Sequence, residues 1–390
     1  MKTKKICAVL LACMVMASAF GAGCKKDSDA STSGTSDTGI SLSIDPNVTG
    51  TTTADPSATT TAGASGDTTA ATESSYYIKM TFEENYDTAA IAEMGKKCTV
   101  HGVSYKEFDF NFYYANEYVG VMSNVMANAE MMTQAGFVNL DYKISDTMTI
   151  RDYLRQTVET DLQGEAFLAD YAAKNNITLP QETIDEIDSQ IAHATESAQV
   201  YNMTLDEYLK SLYGPTANVE VLRSALQRYE LANLAQKKYV EEYKFAEGED
   251  QLPVVYHVLY MTIDKTTGAE LTAEQQAEAK KKADDLLAAA STLDDLKTKG
   301  QAALDAGEAA EASQYTVELG QMVQEFEDWC FADHKEGDKA VVKTQFGYHV
   351  MYFVGTETAN ETQKSNIALY KMQDDLTAAI NSGEYDVKYE

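Results

Sequence analysis

From residue 150 onward apolar side chains return every four positions, Ile150, Leu154, Val158 and Leu162, continued by Phe167, Leu168 and Tyr171. That spacing predicts an amphipathic helix. Thr178 with Gln181, and Pro180 in the first turn, predict a capped start for the next helix, which carries Ile184, Ile187 and Ile191. His193 lies beside that stripe and reads as structural. Thr204 with Glu207 predicts another start, Gly214 and Pro215 its end, and a further helix should run over 219–243. Upstream, CTVHGV at 98–103 predicts a strand with His101 as a polar strand residue, and the aromatic run over 105–118 predicts a helix. Residues 76–248 therefore read as a mainly helical module with Met and Tyr along its faces.

At Pro253 the period changes from four to two. Residues 254–261 predict a strand, and Thr272 with Gln275 caps an Ala-rich helix to about residue 290. A shorter helix over 293–304, a loop after Gly307, a helix in LGQMVQEFEDWCFA, a turn at Gly337 and a strand entered through FGYH complete the segment. Strands and helices mixed in sequence over about 100 residues indicate a small α+β domain. Its first and last strands carry the same pentapeptide, YHVLY from Tyr256 and YHVMY from Tyr348. Alternation puts Tyr, Val and Tyr on one face and His with Leu or Met on the other. Side by side, the two strands would bring His257 and His349 together. Residues 362–380 predict a final helix with Ile367, Leu369, Met372, Leu376 and Ile380 near one face. That face needs a partner, and the helical module is the expected one.

The chain is 44% hydrophobic and 24% charged, which allows ordinary packed cores across two or three domains. The formal net charge is −30, so nucleic acid and anionic lipid are poor partners, whereas cationic, unfolded segments would be attracted. Lys2, Lys4 and Lys5, an apolar run over 6–20, and GAGC ending at Cys24 make a lipoprotein signal peptide over 1–23. The run is shorter than the roughly 20 residues a membrane span requires. Cys24 is the expected lipidation site and Gly21 stands where a lipobox usually has Leu. Residues 24–75 are Ser, Thr, Gly, Ala and Asp with almost no large apolar side chain, and cannot bury enough surface to offset ordering entropy. A coil of about 50 residues spans roughly 40 Å, enough to hold a domain clear of a lipid surface. Cys98 and Cys330 remain, with no CxxC or metal spacing; in an exported protein the two could bridge, and two free, largely buried thiols are the favoured expectation.

The two histidine strands with LGQMVQEF and TQFGYH resemble the parvulin family of peptidyl-prolyl isomerases over residues 253–355. His257 matches the family's first-strand histidine, Met322 and Phe326 the apolar pair of GQMxxxF, and Thr344, Phe346, Gly347 and His349 the TxFGYH segment. The whole plan is similar to the PrsA-type extracytoplasmic foldase lipoproteins. The resemblance implies an α+β fold: a helical chaperone module over 76–248, a parvulin domain over 249–358 with a four-stranded antiparallel sheet flanked by helices, and a C-terminal helix and tail over 359–390. It also implies catalytic His257, His349 and Asp305, the last an acidic residue at the lip of the site. Met322, Phe326, Thr344, Phe346 and Leu259 would bind the substrate.

The implied activity is cis/trans isomerisation of Xaa-Pro bonds in exported, unfolded or partly folded polypeptides at the outer face of the cell membrane, with no cofactor and no metal. Amide rotation costs about 18–20 kcal/mol because resonance must be broken. A dry apolar cup over a polar histidine floor meets that need without a covalent step. Two histidines without a third ligand make a poor zinc site. No G-x-S-x-G, P-loop or G-x-G-x-x-G occurs. Residues 314–317 depart from the family's Gly-Asp-Leu-Gly-Trp, which keeps a second class open, a holdase-type chaperone or structural binding lipoprotein with a catalytically weak parvulin domain. Whether two copies pair into a homodimer also stays open.

Overall fold

The computed structural model describes residues 79, 81–126 and 128–390. The expectations for 1–23, for Cys24 and for the rest of 24–78 lie outside the described residues. The chain divides into two compact units, one running to Gln236 and completed by Leu376–Glu390, the other Lys237–Asp375. Among the described residues no helix is long and apolar enough to cross a membrane.

The first unit begins with α1 (Phe82–Asn85), α2 (Thr88–Glu93) and a hairpin of β1 (Cys98–Val100) and β2 (Val103–Tyr105). His101 and Gly102 form its turn with φ of 43° and 83°, the left-handed conformation that a two-residue hairpin turn needs. His101 is thus a turn residue and not a strand residue, and its ring stacks on Tyr385 at 4.3 Å. Next come α3 (Glu107–Val125), a turn of 3₁₀ helix (Ala129–Met131), the short pair β3 (Lys143–Ser145) and β4 (Met148–Thr149), α4 (Ile150–Lys174), α5 (Gln181–Val200), α6 (Leu205–Tyr213) and α7 (Val219–Glu242).

The stripe Leu154, Val158 and Leu162 of α4 is fully buried against the α3 aromatics Phe108, Phe110, Tyr114 and Tyr118. Thr204 and Glu207 make a reciprocal capping box at α6. At α5 the cap position is Pro180 itself and no side chain bonds there, so Thr178 does not cap that helix. Inside this unit Arg228 bonds the carboxylates of Asp109 and Glu165, which share its charge in a largely buried setting.

The second unit holds β5 (Gln251–Met261), α8 (Ala273–Ala289), α9 (Leu293–Asp305), β6 (Glu311–Thr316), α10 (Gln324–Cys330), β7 (Lys339–Lys343) and β8 (Gly347–Thr358). The sheet order is β6-β5-β8-β7 with every neighbour antiparallel. Both edge strands are short, and neither stands out by alternation. The segment 311–316, expected in a loop, is therefore an edge strand.

The sheet has two different faces. Tyr256, Val258, Tyr260 and Val350 pack under Ala279, Ala283 and Leu286 of α8 and Leu296 of α9. Gly300 brings α9 so near that an added Cβ would stand 2.6 Å from Val258 Cγ2. Val255, Met351 and Phe353 on the other face pack with Phe326 and Cys330 of α10. Cys98 and Cys330 are free and buried. Burial pushes their thiols up, to about 11 and about 12.

Helix α11 (Glu361–Asn381) does not serve the helical module alone. Its Ile367 packs with Leu252 and Ala359 of the second unit, whereas Ala379 and Ile380 pack in the first. A last strand, β9 (Lys388–Tyr389), pairs antiparallel with β1.

Candidate active site

Strands β5 and β8 set two histidines on the sheet face covered by α10. His257 stands opposite Met351 and His349 opposite Leu259, so the pair is diagonal. The two Nδ1 atoms are 3.2 Å apart, and the side chains are 3% and 5% exposed. Gly347 admits this geometry. It enters β8 at φ 155°, where a Cβ would lie 2.1 Å from the Tyr260 carbonyl oxygen, so only glycine fits between the strands.

The hydrogen-bond chain and the Glu311 carboxylate together assign the protons. Thr344 Oγ1 accepts the Phe346 N–H at 3.2 Å and lies 2.9 Å from His349 Nε2. With that hydroxyl donating to His349 Nε2, the His349 proton sits on Nδ1 and is donated to His257 Nδ1, the assignment that keeps a bare lone pair from facing Glu311. His257 accordingly carries its proton on Nε2. That N–H has no partner within hydrogen-bond reach, and Glu311 Oε1 stands beyond it at 3.7 Å. The opposite assignment would aim a bare nitrogen lone pair at a carboxylate.

Burial keeps both rings neutral. It pushes His349 down to about 3, with repulsion from His257 and Lys343 adding to the effect. Burial also lowers His257, against the pull of Glu311 in the other direction.

Phe326 roofs the pair. Its ring centroid is 5.2 Å from each imidazole at interplanar angles of 87° and 77°, an edge-on arrangement. Met322 is half-buried against the same cluster, and Leu259 is nearly buried on the same sheet face. Thr344 is buried and bonds His349, so the structure makes it a positioning group in place of the expected substrate contact. Phe346 is 39% exposed in the turn before β8, its carbonyl accepting the Thr262 N–H at 2.9 Å.

Asp305 does not join this group. It ends α9, which packs on the opposite face of the sheet, and it accepts a hydrogen bond from Gln301 at 2.8 Å in an exposed position. The carboxylate that faces the histidines is Glu311, set by its pairing opposite Leu259 on β6. The Tyr315 hydroxyl bonds Glu311, and the Tyr315 ring lies 5.3 Å from His257. Both residues fall on the histidine face because 311, 313 and 315 share one parity of β6. With 311–316 taken as loop, that parity carried no signal.

The site holds two neutral imidazoles, one free N–H donor, one carboxylate and an apolar roof. A family model of the PPIC-type PPIase domain matches residues 243–357. The chain carries a peptidyl-prolyl isomerase domain of the parvulin type.

No curated protein matches the chain significantly. Among solved structures, the peptidylprolyl isomerase PrsA of Bacillus anthracis is 15% identical, with 60% of this chain and 95% of that one covered at a TM-score of 0.27. Foldase protein PrsA of Streptococcus pneumoniae is 15% identical, covering 63% and 92% at 0.23. A SurA-like chaperone of Campylobacter jejuni is 16% identical, covering 55% and 89% at 0.19.

Proposed function

We propose that the chain is a membrane-anchored extracytoplasmic foldase that isomerises Xaa-Pro bonds in exported, unfolded or partly folded polypeptides. The observation that carries this reading is the neutral histidine pair hydrogen bonded beneath Phe326. Proline would enter between Phe326, Met322 and Leu259, where burial of its ring contributes roughly 1.5–3 kcal/mol of binding. In that dry space the amide loses the solvent that favours its charge-separated planar form, so the barrier to twisting falls. The buried His257 Nε2–H is aimed at Glu311 and would leave the amide carbonyl without a donor, so nothing restores the planar form while the prolyl side rotates. Glu311 would keep that proton on Nε2 through its field. No bond to protein forms and no proton need be transferred.

Anchoring rests on the sequence alone, on the basic residues, the short apolar run and Cys24. The helical unit would hold clients.

Refolding of a proline-limited substrate protein by the full chain tests the activity. Acceleration by the parent, lost in Phe326→Ala, supports it. No acceleration by the parent would overturn the enzymatic reading in favour of the holdase one. For the anchor, Cys24→Ser should leave a protein that no longer partitions with detergent, and unchanged partitioning would remove the lipid from the proposal.

A further inference from the structure

The loop between β6 and α10 carries Met322 and leads to Phe326, and it is held both by its own domain and by α11. Val317 N–H donates to the Pro253 carbonyl at 2.9 Å at one end, and Gln321 N–H reaches the Glu318 carbonyl at a long 3.4 Å. Further restraint comes from α11, which begins after the matched domain ends at residue 357. The Glu318 carboxylate accepts Gln363 Nε2 at 3.1 Å on one oxygen and Asn366 Nδ2 at 2.9 Å on the other.

Two residues on, Gly320 has φ 77°, and the Tyr370 phenol fills the space a side chain would take. A Cβ there would lie 1.3 Å from the Tyr370 hydroxyl oxygen and 2.2 Å from Cζ. The Gly320 N–H then donates to Glu327 Oε2 at 2.7 Å, closing the loop onto the residue after Phe326. Gln363, Asn366 and Tyr370 follow the i, i+3, i+7 spacing of one helix face. The helix is itself fixed, by Ile367 against Leu252 and by Lys364–Asp250 at 3.5 Å and Lys371–Glu249 at 3.1 Å.

We propose that Tyr370, Gln363 and Asn366 are positioning residues for the isomerase site, holding the 318–322 loop so that Met322 and Phe326 stand preformed over the histidine pair. This rests on the proposed isomerase reading. A loop that must be ordered by each incoming proline subtracts its ordering cost from affinity, whereas a loop already held does not. The histidines sit on the sheet and are untouched by α11. The effect should therefore fall on substrate binding and leave turnover alone.

The test uses the full chain, a short peptide with one Xaa-Pro bond, and two readouts, isomerisation kinetics and the fluorescence of Trp329, the only tryptophan in the chain. Tyr370→Ala and the pair Gln363→Ala with Asn366→Ala should each raise KM and the peptide Kd about fivefold with kcat within about twofold of the parent. Tyr370→Phe keeps the ring on Gly320 and should restore parent KM, a rescue that general destabilisation would not give. Should Tyr370→Ala fold poorly, the Gln363 and Asn366 variants decide.

Unchanged KM and Kd, or a loss confined to kcat, would overturn the positioning role. A parent that binds the peptide without turning it over would sink the isomerase reading alone, and weaker binding in Tyr370→Ala would still support the clamp. A parent that neither binds nor isomerises would sink both.

Discussion

His257 and His349 share a 3.2 Å hydrogen bond although neither stands opposite the other across the strands, His257 facing Met351 and His349 facing Leu259. Diagonal neighbours on an antiparallel pair are about 7–8 Å apart at the backbone, a gap that two imidazoles leaning together can close. Replacing either ring with Ala strands the partner's Nδ1 in a buried site, at a cost of ~1–3 kcal/mol. His257→Ala and His349→Ala should each lower the melting temperature of the isomerase domain and its peptide turnover together. Full activity with unchanged melting in both would show that the pair is not used.

Thr344 acts through His349, so its hydroxyl and not its bulk should matter. Thr344→Val leaves His349 Nε2 without a donor and frees that ring to take the other tautomer, which would turn the His257 lone pair toward Glu311. Turnover should fall about tenfold, worth ~1.4 kcal/mol, while Thr344→Ser stays near the parent. Ring nitrogen chemical shifts would report the tautomers directly, and an unaltered pattern in Thr344→Val would refute the proton assignment.

Glu311 and Asp305 make opposite forecasts. Glu311→Gln weakens the field that keeps the His257 proton on Nε2, and should reduce kcat/KM about fivefold, ~1 kcal/mol. Asp305→Ala removes an exposed carboxylate on the far side of the sheet and should leave kcat/KM within experimental scatter. A larger loss from Asp305→Ala than from Glu311→Gln would reverse the assignment.

Acid should loosen the isomerase domain through the same rings. Folding lowers His349 to about 3 and lowers His257 as well, while unfolded histidines titrate near 6.5. The folded state thus binds fewer protons below pH 6.5, so this stability is complete above that value and is lost as pH falls toward 3. His349 alone should cost ~2 kcal/mol by pH 5. The melting deficit of His349→Asn against the parent should therefore narrow between pH 7 and pH 5. A deficit that stays constant would place the proton elsewhere.

The sequence alone determined what local periodicity encodes. The four-residue spacing of Leu154, Val158 and Leu162 is the buried stripe of α4, and the repeated pentapeptide put the Tyr and His faces on opposite sides of the sheet. GQM and FGYH located the roof and the turn, since those segments carry their constraint in residue type, above all Gly347 pressed on the Tyr260 carbonyl. Pairing partners are a different matter. Glu311 reaches the histidines because β6 takes a register on β5, and a short edge strand gains its conformation from its neighbour more than from its own pattern. Asp305 shows the converse, near in sequence to the site and turned away by the packing of α9. The clamp of Tyr370 on Gly320 joins segments far apart in the chain through one aromatic ring and one missing side chain. No spacing rule connects such residues. Only the packed structure, which decides what occupies the space above a glycine, brings them together.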